Sequence, residues 1–174
     1  MHLLESSLFR DQIAACGIHD SDDLCYVRND SFDKVNFTVE FEAWELEDTQ
    51  PKQVYEYKEV LEPGSIDWFK LPVGITSDIQ IILVRLNVHH NHFISSSHDF
   101  SESVYLKDMP KNIKGLQSPV NIEIVEIRAS KNGDAVIVLQ SDQLALFVVL
   151  TTRAEGRFSR NCFALRPFEN YVSA

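Results

Sequence analysis

The fold class of this chain is decided by the stretch Val35-Asn36-Phe37-Thr38-Val39-Glu40-Phe41-Glu42-Ala43. Every odd-numbered residue in it is apolar and every even-numbered residue is polar. Because successive side chains of a β-strand point to opposite faces, this alternation predicts a strand with one buried face. Two sets of side chains follow from it: a buried set (Val35, Phe37, Val39, Phe41) and a solvent-facing set (Asn36, Thr38, Glu40, Glu42).

Other apolar runs on both sides of this stretch also predict strands. The run from Ile79 to Leu86 is apolar on both faces at its centre, which is typical of an interior strand. Further strands are predicted at 12–18, 24–28, 53–60, 65–71, 93–97, 103–107, 120–127, 135–139 and 144–150. Turn-forming residues separate several of them, such as Asn132-Gly133-Asp134 and Ser141-Asp142-Gln143. One turn of helix is expected near residues 3–12.

Short strands separated by frequent turn signals predict an all-β chain built of antiparallel β-sandwiches. The stretch 108–115 has no periodicity and contains both Pro and Gly, which predicts a linker. We therefore expect two tandem sandwich domains, over residues 1–108 and 120–174, joined by residues 109–119.

Charge and hydropathy exclude two classes of partner. The chain has 174 residues, with 16 Lys and Arg against 26 Asp and Glu, which gives a net charge of −10. This acidic balance opposes non-specific binding to nucleic acid, because phosphate contacts need a surplus of cations. No apolar run approaches the roughly 18 residues of a membrane-spanning helix. We expect neither nucleic acid nor a membrane as a partner.

The only histidine cluster comprises His89, His90 and His92, with His98 six residues after the last of these. It follows a predicted strand that ends near Val88, so we interpret it as a solvated hairpin loop. A metal site would need imidazoles that converge from a rigid frame. We therefore predict no metal-binding residue.

No enzymatic motif is present. The chain has no Gly-x-Ser-x-Gly elbow, no Walker loop and no Gly-x-Gly-x-x-Gly. Its acids, such as Glu40 with Glu42 or Glu56 with Glu59, alternate onto the outer faces of predicted strands, where they are expected to be solvated. The sequence predicts no catalytic and no cofactor-binding residue. Whether the chain is part of an enzyme is left open.

Cysteine and tryptophan each leave two interpretations. Cys16, Cys25 and Cys162 lack metal-ligand spacing, and each is expected to be a small core residue. A Cys16–Cys25 disulfide is the alternative if the two lie on adjacent strands. Trp44 and Trp68 are expected to pack in the core; a sugar-stacking platform is the alternative.

Two Asn-x-Ser/Thr sequons are candidate N-glycosylation sites. Asn36 lies on the polar face of the alternating strand, and Asn29 lies in the turn before it. Both positions are expected to be exposed. Together they favour a protein of the secretory pathway.

The most specific run near the carboxyl end is Gly156-Arg157-Phe158-Ser159-Arg160-Asn161-Cys162-Phe163-Ala164-Leu165-Arg166-Pro167, preceded by the apolar strand from Leu146 to Leu150. It resembles the last immunoglobulin-like domain of β-mannosidases, which are glycoside hydrolases of the β-galactosidase-like family. Arg160 departs from that family's pattern, which has Asp there. The resemblance continues upstream in the run from Leu24 to Asp30, in the alternating strand through Trp44 and in the run from Glu102 to Leu106.

The resemblance implies two immunoglobulin-like sandwiches that form the accessory carboxyl-terminal region of such an enzyme. Its catalytic glutamates would lie on an upstream (β/α)8 barrel, the acid/base within an Asn-Glu dipeptide, and this chain has no such dipeptide. The implied partner is that barrel, which removes terminal β-mannose from oligosaccharides. Oligosaccharide substrate would be bound only through the parent enzyme.

Two further expectations follow from these interpretations. The alternative function is a free-standing sandwich module that binds carbohydrate or protein. As part of a longer precursor the chain is expected in a lysosome or outside the cell; if Met1 is the true start, a cytoplasmic location is expected, because no signal-peptide core follows it.

Overall fold

The computed structural model describes residues 11–17, 24–71, 79, 81–89, 100–116, 118–129, 134–153, 158, 161–168 and 171–173. In these residues the regular structure is β, apart from one turn of 3-10 helix at Pro110–Asn112. The chain forms two compact units. The first holds residues 1–45 and 51–112, and the second holds residues 46–50 and 113–174. The all-β prediction is confirmed.

Within the described residues, the first unit contains β1 (Gln12–Cys16), β2 (Leu24–Asn29), β3 (Val35–Trp44), β4 (Gln53–Leu61), β5 (Ser65–Lys70), β6 (Ile81–His89) and β7 (Phe100–Leu106). They form a three-stranded sheet in the order β1-β2-β5 and a four-stranded sheet in the order β4-β3-β6-β7. All pairings are antiparallel. This three-plus-four arrangement is an immunoglobulin-like sandwich.

The alternating stretch forms β3, the ten-residue strand between β4 and β6. Its odd-numbered apolar side chains are buried in the core of the first unit, as predicted. On the other face Asn36, Glu40 and Glu42 are half-buried, but Thr38 is buried, so its predicted exposure is wrong. Thr38 lies between Lys58 of β4 and Asn87 of β6. A small side chain in a central strand is covered by such longer neighbours.

Side-chain hydrogen bonds join the sheets of the first unit along both edges. Ser103 on β7 donates its hydroxyl to the carbonyl of Ala14 on β1, at 3.1 Å. Tyr57 on β4 donates its hydroxyl to Asp67 on β5, at 2.7 Å. Both edge contacts support the packing of the apolar faces between them.

Cys16 and Cys25 lie opposite each other on β1 and β2 and form a disulfide. The second of the two sequence interpretations is therefore confirmed for this pair. Cys25 is also fully buried, and Cys16 packs at the border of the same core. Cys162 is a free, half-buried thiol in the second unit.

Within the described residues, the second unit contains β8 (Ile122–Ala129), β9 (Ala135–Ser141), β10 (Ala145–Val148), β11 (Phe163–Leu165) and β12 (Tyr171–Ser173). They form one sheet in the order β12-β9-β8 and a second of β10 with β11. Leu139, Ala145, Val148, Phe163 and Leu165 form the core of this unit. The strand predicted at 144–150 is shorter in the structure, and within it Phe147 has a positive φ of 56° and the register with β11 shifts.

Some predictions fall outside the described residues. These are the strand at 93–97 and nearly all of the helical turn at 3–12, whose last residue, Gln12, instead begins β1. The predicted linker at 109–119 stays a prediction.

Among the three glycines that the structure describes, Gly17 leaves the least room for a side chain. It follows β1 with a φ of +77°, and a Cβ built on it would lie 2.4 Å from the ring of Tyr105, which packs against the core. We predict that Gly17→Ala lowers the free energy of unfolding by about 2–4 kcal/mol, from backbone strain and overpacking together. Urea denaturation followed by circular dichroism measures this.

Gly64 provides the matched control. Its φ is +66°, but no atom lies within 4 Å of the position that a Cβ would take. Gly64→Ala should therefore lose only about 1–2 kcal/mol, from the left-handed backbone alone. Equal losses for the two variants would show that contact with Tyr105 contributes nothing.

Candidate functional site

The outer face of the four-stranded sheet carries an open polar concavity of about 660 Å³. It lies over β3, β4 and β6, and on β3 its outward side chains are those that the alternation predicted to be polar. We call it the polar concavity. It is lined by Asn36, Phe37, Thr38, Glu40, Glu56, Lys58, Glu59, Val60, Asn87 and His89.

Side chains along the polar concavity already bond to one another. The Thr38 hydroxyl and the His89 Nε2 are 3.0 Å apart, and Asn87 donates to Glu40 Oε1 at 3.1 Å. Arg85, next on the same face, lies 4.0 Å from Glu40 and 3.8 Å from Glu102. These cross-strand contacts satisfy polar groups in the sheet and hold their side chains in place.

Two further carboxylates of the polar concavity, those of Glu56 and Glu59, have partners on their own strand. Glu56 forms an ion pair with Lys58 at 2.7 Å, and Glu59 accepts a hydrogen bond from the backbone N–H of Val60. Glycoside hydrolysis needs two carboxyl groups held across a cleft, one as general acid and one as base or nucleophile. Carboxylates that lie along one open sheet and pair with their strand neighbours do not form that arrangement.

The pKa of Tyr57 is raised to about 12, first by burial and then by its hydrogen bond to Asp67. The phenol therefore stays protonated at physiological pH and continues to donate. Its ring stacks on Phe69 with centroids 4.2 Å apart. Tyr57 is a structural donor between the two sheets, because its proton serves the Asp67 contact.

Asp108 has a lowered pKa for a local reason. Its Oδ1 accepts hydrogen bonds from the Asn112 side chain and from the backbone N–H of Met109, in that order of effect. The carboxylate thus caps the 3-10 turn at Pro110–Asn112. This role is structural.

The two tryptophans do not form a common platform. Trp44 is 2% exposed and donates its indole N–H to Glu42 at 3.1 Å. Trp68 lies on β5, in the other sheet, and is 48% exposed. Its neighbour is Tyr26, with ring centroids 5.3 Å apart. The predicted core position is confirmed for Trp44 and is wrong for Trp68.

Asn29 was predicted to lie in an exposed turn, and this is wrong. It is the last residue of β2, on the same face as Cys25 and Val27, and is 0% exposed. Its Nδ2 is within hydrogen-bond distance of three carbonyl oxygens, those of Asp33, Leu61 and Glu62, while its Oδ1 accepts from Ser31. A glycan on this nitrogen would have no room.

Asn36, the other sequon residue, is half-buried at the border of the polar concavity. Its glycosylation stays a prediction. The sequence signal that identifies Asn29 as structural is its phase, two and four residues after the buried Val27 and Cys25. Asn-x-Ser is also a common sequence for an Asx turn, in which Asn accepts from the backbone two residues on.

The histidine loop is described only at His89. This residue ends β6 in register with Asn36, so it belongs to the sheet rather than to a turn. His90, His92 and His98 lie outside the described residues. Across the part of the chain that the structure describes, no group of three or more His, Cys, Asp or Glu side chains is placed to hold a metal ion.

Among those same residues, no helix is long and apolar enough to cross a membrane.

The carboxyl-terminal run is built around Asn161. Its side-chain amide pairs with Leu150 in both directions: Oδ1 accepts the Leu150 N–H at 2.7 Å, and Nδ2 donates to the Leu150 carbonyl at 3.0 Å. Oδ1 also accepts the N–H of Cys162. We call this arrangement the Asn161 clamp. Phe163 and Leu165 follow Asn161 in β11, and both are buried in the core of the second unit.

Comparison with known proteins agrees with this geometry. No curated protein sequence matches the chain. Residues 117–172 match the family Ig_mannosidase, an Ig-fold domain. This range contains the Asn161 clamp, the core of the second unit and all of its described strands except Ser173, the last residue of β12. Residues 117–172, about a third of the chain, are therefore similar to the Ig-fold domain of mannosidases.

Proposed function

We propose that this chain is the accessory carboxyl-terminal region of a β-mannosidase-like glycoside hydrolase. It supports an upstream catalytic (β/α)8 barrel that removes terminal β-mannose from oligosaccharides, and it does not catalyse the reaction alone. The observation that carries the proposal is the family match over residues 117–172. The resemblance of the preceding sandwich to the same enzymes supports it.

The chemistry of the described residues agrees with a non-catalytic role. The carboxylates of the polar concavity are paired along one sheet with Lys58, Asn87 and backbone N–H groups. The titratable groups with clear pKa shifts, Tyr57 and Asp108, serve structural contacts. Substrate binding and catalysis are thus assigned to the barrel.

A lysosomal or secreted location is part of the proposal. The Cys16–Cys25 disulfide supports it, because structural disulfides persist mainly in oxidising compartments. The half-buried Asn36 is the candidate glycan acceptor, and Asn29 is no longer one.

The alternative, a free-standing carbohydrate-binding module, is favoured by one observation. Trp68 is half exposed beside Tyr26 on the outer face of the three-stranded sheet. Aromatic faces of this kind stack on sugar rings. One tilted aromatic pair is a small binding surface, so the accessory role is the better supported of the two.

The two functions are separated by assays on the purified chain. We predict no turnover of aryl β-mannosides or β-glucosides, and no heat of binding when manno-oligosaccharides are titrated into the protein. Saturable binding that is lost in Trp68→Ala would support the module instead. Hydrolysis that is abolished by substitution of one of the chain's own glutamates would overturn the proposal.

The accessory role also predicts that the motif residues serve folding. Asn161→Ala leaves the Leu150 N–H and carbonyl without their partner, so we expect a loss of about 1–3 kcal/mol in the free energy of unfolding. Asn121→Ala is the control, because Asn121 is exposed and donates only to Glu123 in the same unit. It should change stability by at most about 0.5 kcal/mol. Equal stability of the two variants would contradict the Asn161 clamp.

A further inference from the structure

Strand β8 is the edge of its sheet within the described residues, because the order is β12-β9-β8. All eight of its residues are exposed. Three of them are isoleucines, with exposures of 38% at Ile122, 61% at Ile124 and 64% at Ile127. An edge strand offers a row of backbone N–H and C=O groups to another strand, and long apolar edges are normally blunted by charge or by a covering element.

The isoleucines lie on the core side of this sheet. Ile122, Ile124 and Ile127 are opposite Ser141, Leu139 and Ile137 of β9, and Leu139 is in the core of the second unit. The charged side chains of β8, which are Glu123, Glu126 and Arg128, occupy the other face. The apolar row therefore extends the core beyond the last strand of the sheet.

A β-bulge sets this pattern. The register with β9 shifts between Ile124 and Glu126, so Val125 is the extra residue. In a regular strand Ile124 and Ile127 would point to opposite faces, because they are three positions apart along the strand. The bulge returns Ile127 to the face of Ile124. In the same way it places Arg128 on the face of Glu123.

We propose that β8 pairs antiparallel with β8 of a second copy of this chain, around a twofold axis. In the proposed register Glu123 lies opposite Arg128 of the second copy, and Ile124 lies opposite its Ile127. Ile122 then lies opposite Ala129. The described strands of the two copies would form one six-stranded sheet, with opposite charges paired on one face and isoleucines on the other.

The charge pattern selects this register and this partner. A shift by one residue places isoleucines opposite charged residues of the other face. A shift by two residues in one direction places Glu123 opposite Glu126; in the other direction it places Glu126 opposite Ile127. In the proposed register both bulges lie at the twofold axis, so the segments 122–124 and 127–129 pair regularly. The eight-residue strand is thus complementary to itself.

This inference is independent of the proposed function, because it concerns only the residues of β8. Sedimentation equilibrium over a concentration series tests it on the intact chain. We expect a reversible equilibrium between monomer and dimer. A chain that stays monomeric at every concentration, or one that forms only larger open aggregates, would overturn the proposal.

Charge reversal tests the register. In a dimer of Glu123→Arg, two arginines face each other at each of two equivalent positions, and in a dimer of Arg128→Glu two glutamates do so. Each single variant should weaken dimerisation at least about tenfold. An equimolar mixture of the two restores both pairs and should dimerise like the original chain. The double variant should do so as well.

Glu59→Arg is the control, since it changes net charge by the same amount on an exposed position of β4 in the first unit. It should leave the dimer unchanged. Circular dichroism melting identifies any variant that fails to fold, and amide exchange of β8 in the original chain provides a second measurement. Protection of β8 that rises with concentration is expected. Dimerisation insensitive to both charge reversals, or β8 amides that exchange equally at all concentrations, would refute the pairing.

Discussion

Burial of the apolar face of β3 is the constraint on which the first unit depends. Val39 at its centre has no exposed surface, and β4 and β6 pair with it along its two sides. The side-chain period of a strand is two residues, so a slip of one residue would bring Glu40 into the core and Val39 out of it. The position of the polar concavity on the opposite face follows directly, because both faces belong to the same strands.

In each unit, the side-chain amide of one asparagine forms hydrogen bonds with backbone groups at or just beyond the end of a strand. Asn29 ends β2 and binds the carbonyls of Leu61 and Glu62, where the strand ladder stops. Asn161 does the same for Leu150 in the second unit. An amide offers both a donor and an acceptor in one plane, as a peptide group does. Neither residue is therefore free for chemistry, although each stands out in the sequence.

Strand existence was predictable because it depends on the local residue pattern. The alternation in β3 and the continuous apolar run in β6 are the clearest cases. The alternation did not predict the burial of Thr38, which comes from its neighbours on two other strands. The burial of Asn29 was also not predicted. A sequon suggests an exposed asparagine, and only the alternation along β2 shows that Asn29 shares the buried face of Cys25 and Val27. The Asn161 clamp could not be predicted from the sequence for the same reason, because Leu150 lies eleven residues away and contacts Asn161 only in the folded chain.

One exposed surface in each unit can be compared: the first is polar with paired charges, and the second carries an exposed apolar edge. On the outer face of the four-stranded sheet, charged side chains pair within the sheet, as Arg85 does with Glu40 and Glu102. On β8 Arg128 pairs with Glu126 of its own strand while the isoleucines remain uncovered. A polar face whose charges already pair with one another gains little from a partner, whereas an apolar edge gains both burial and backbone hydrogen bonds. Of these two surfaces, the β8 edge of the second unit therefore has the stronger physical drive to associate.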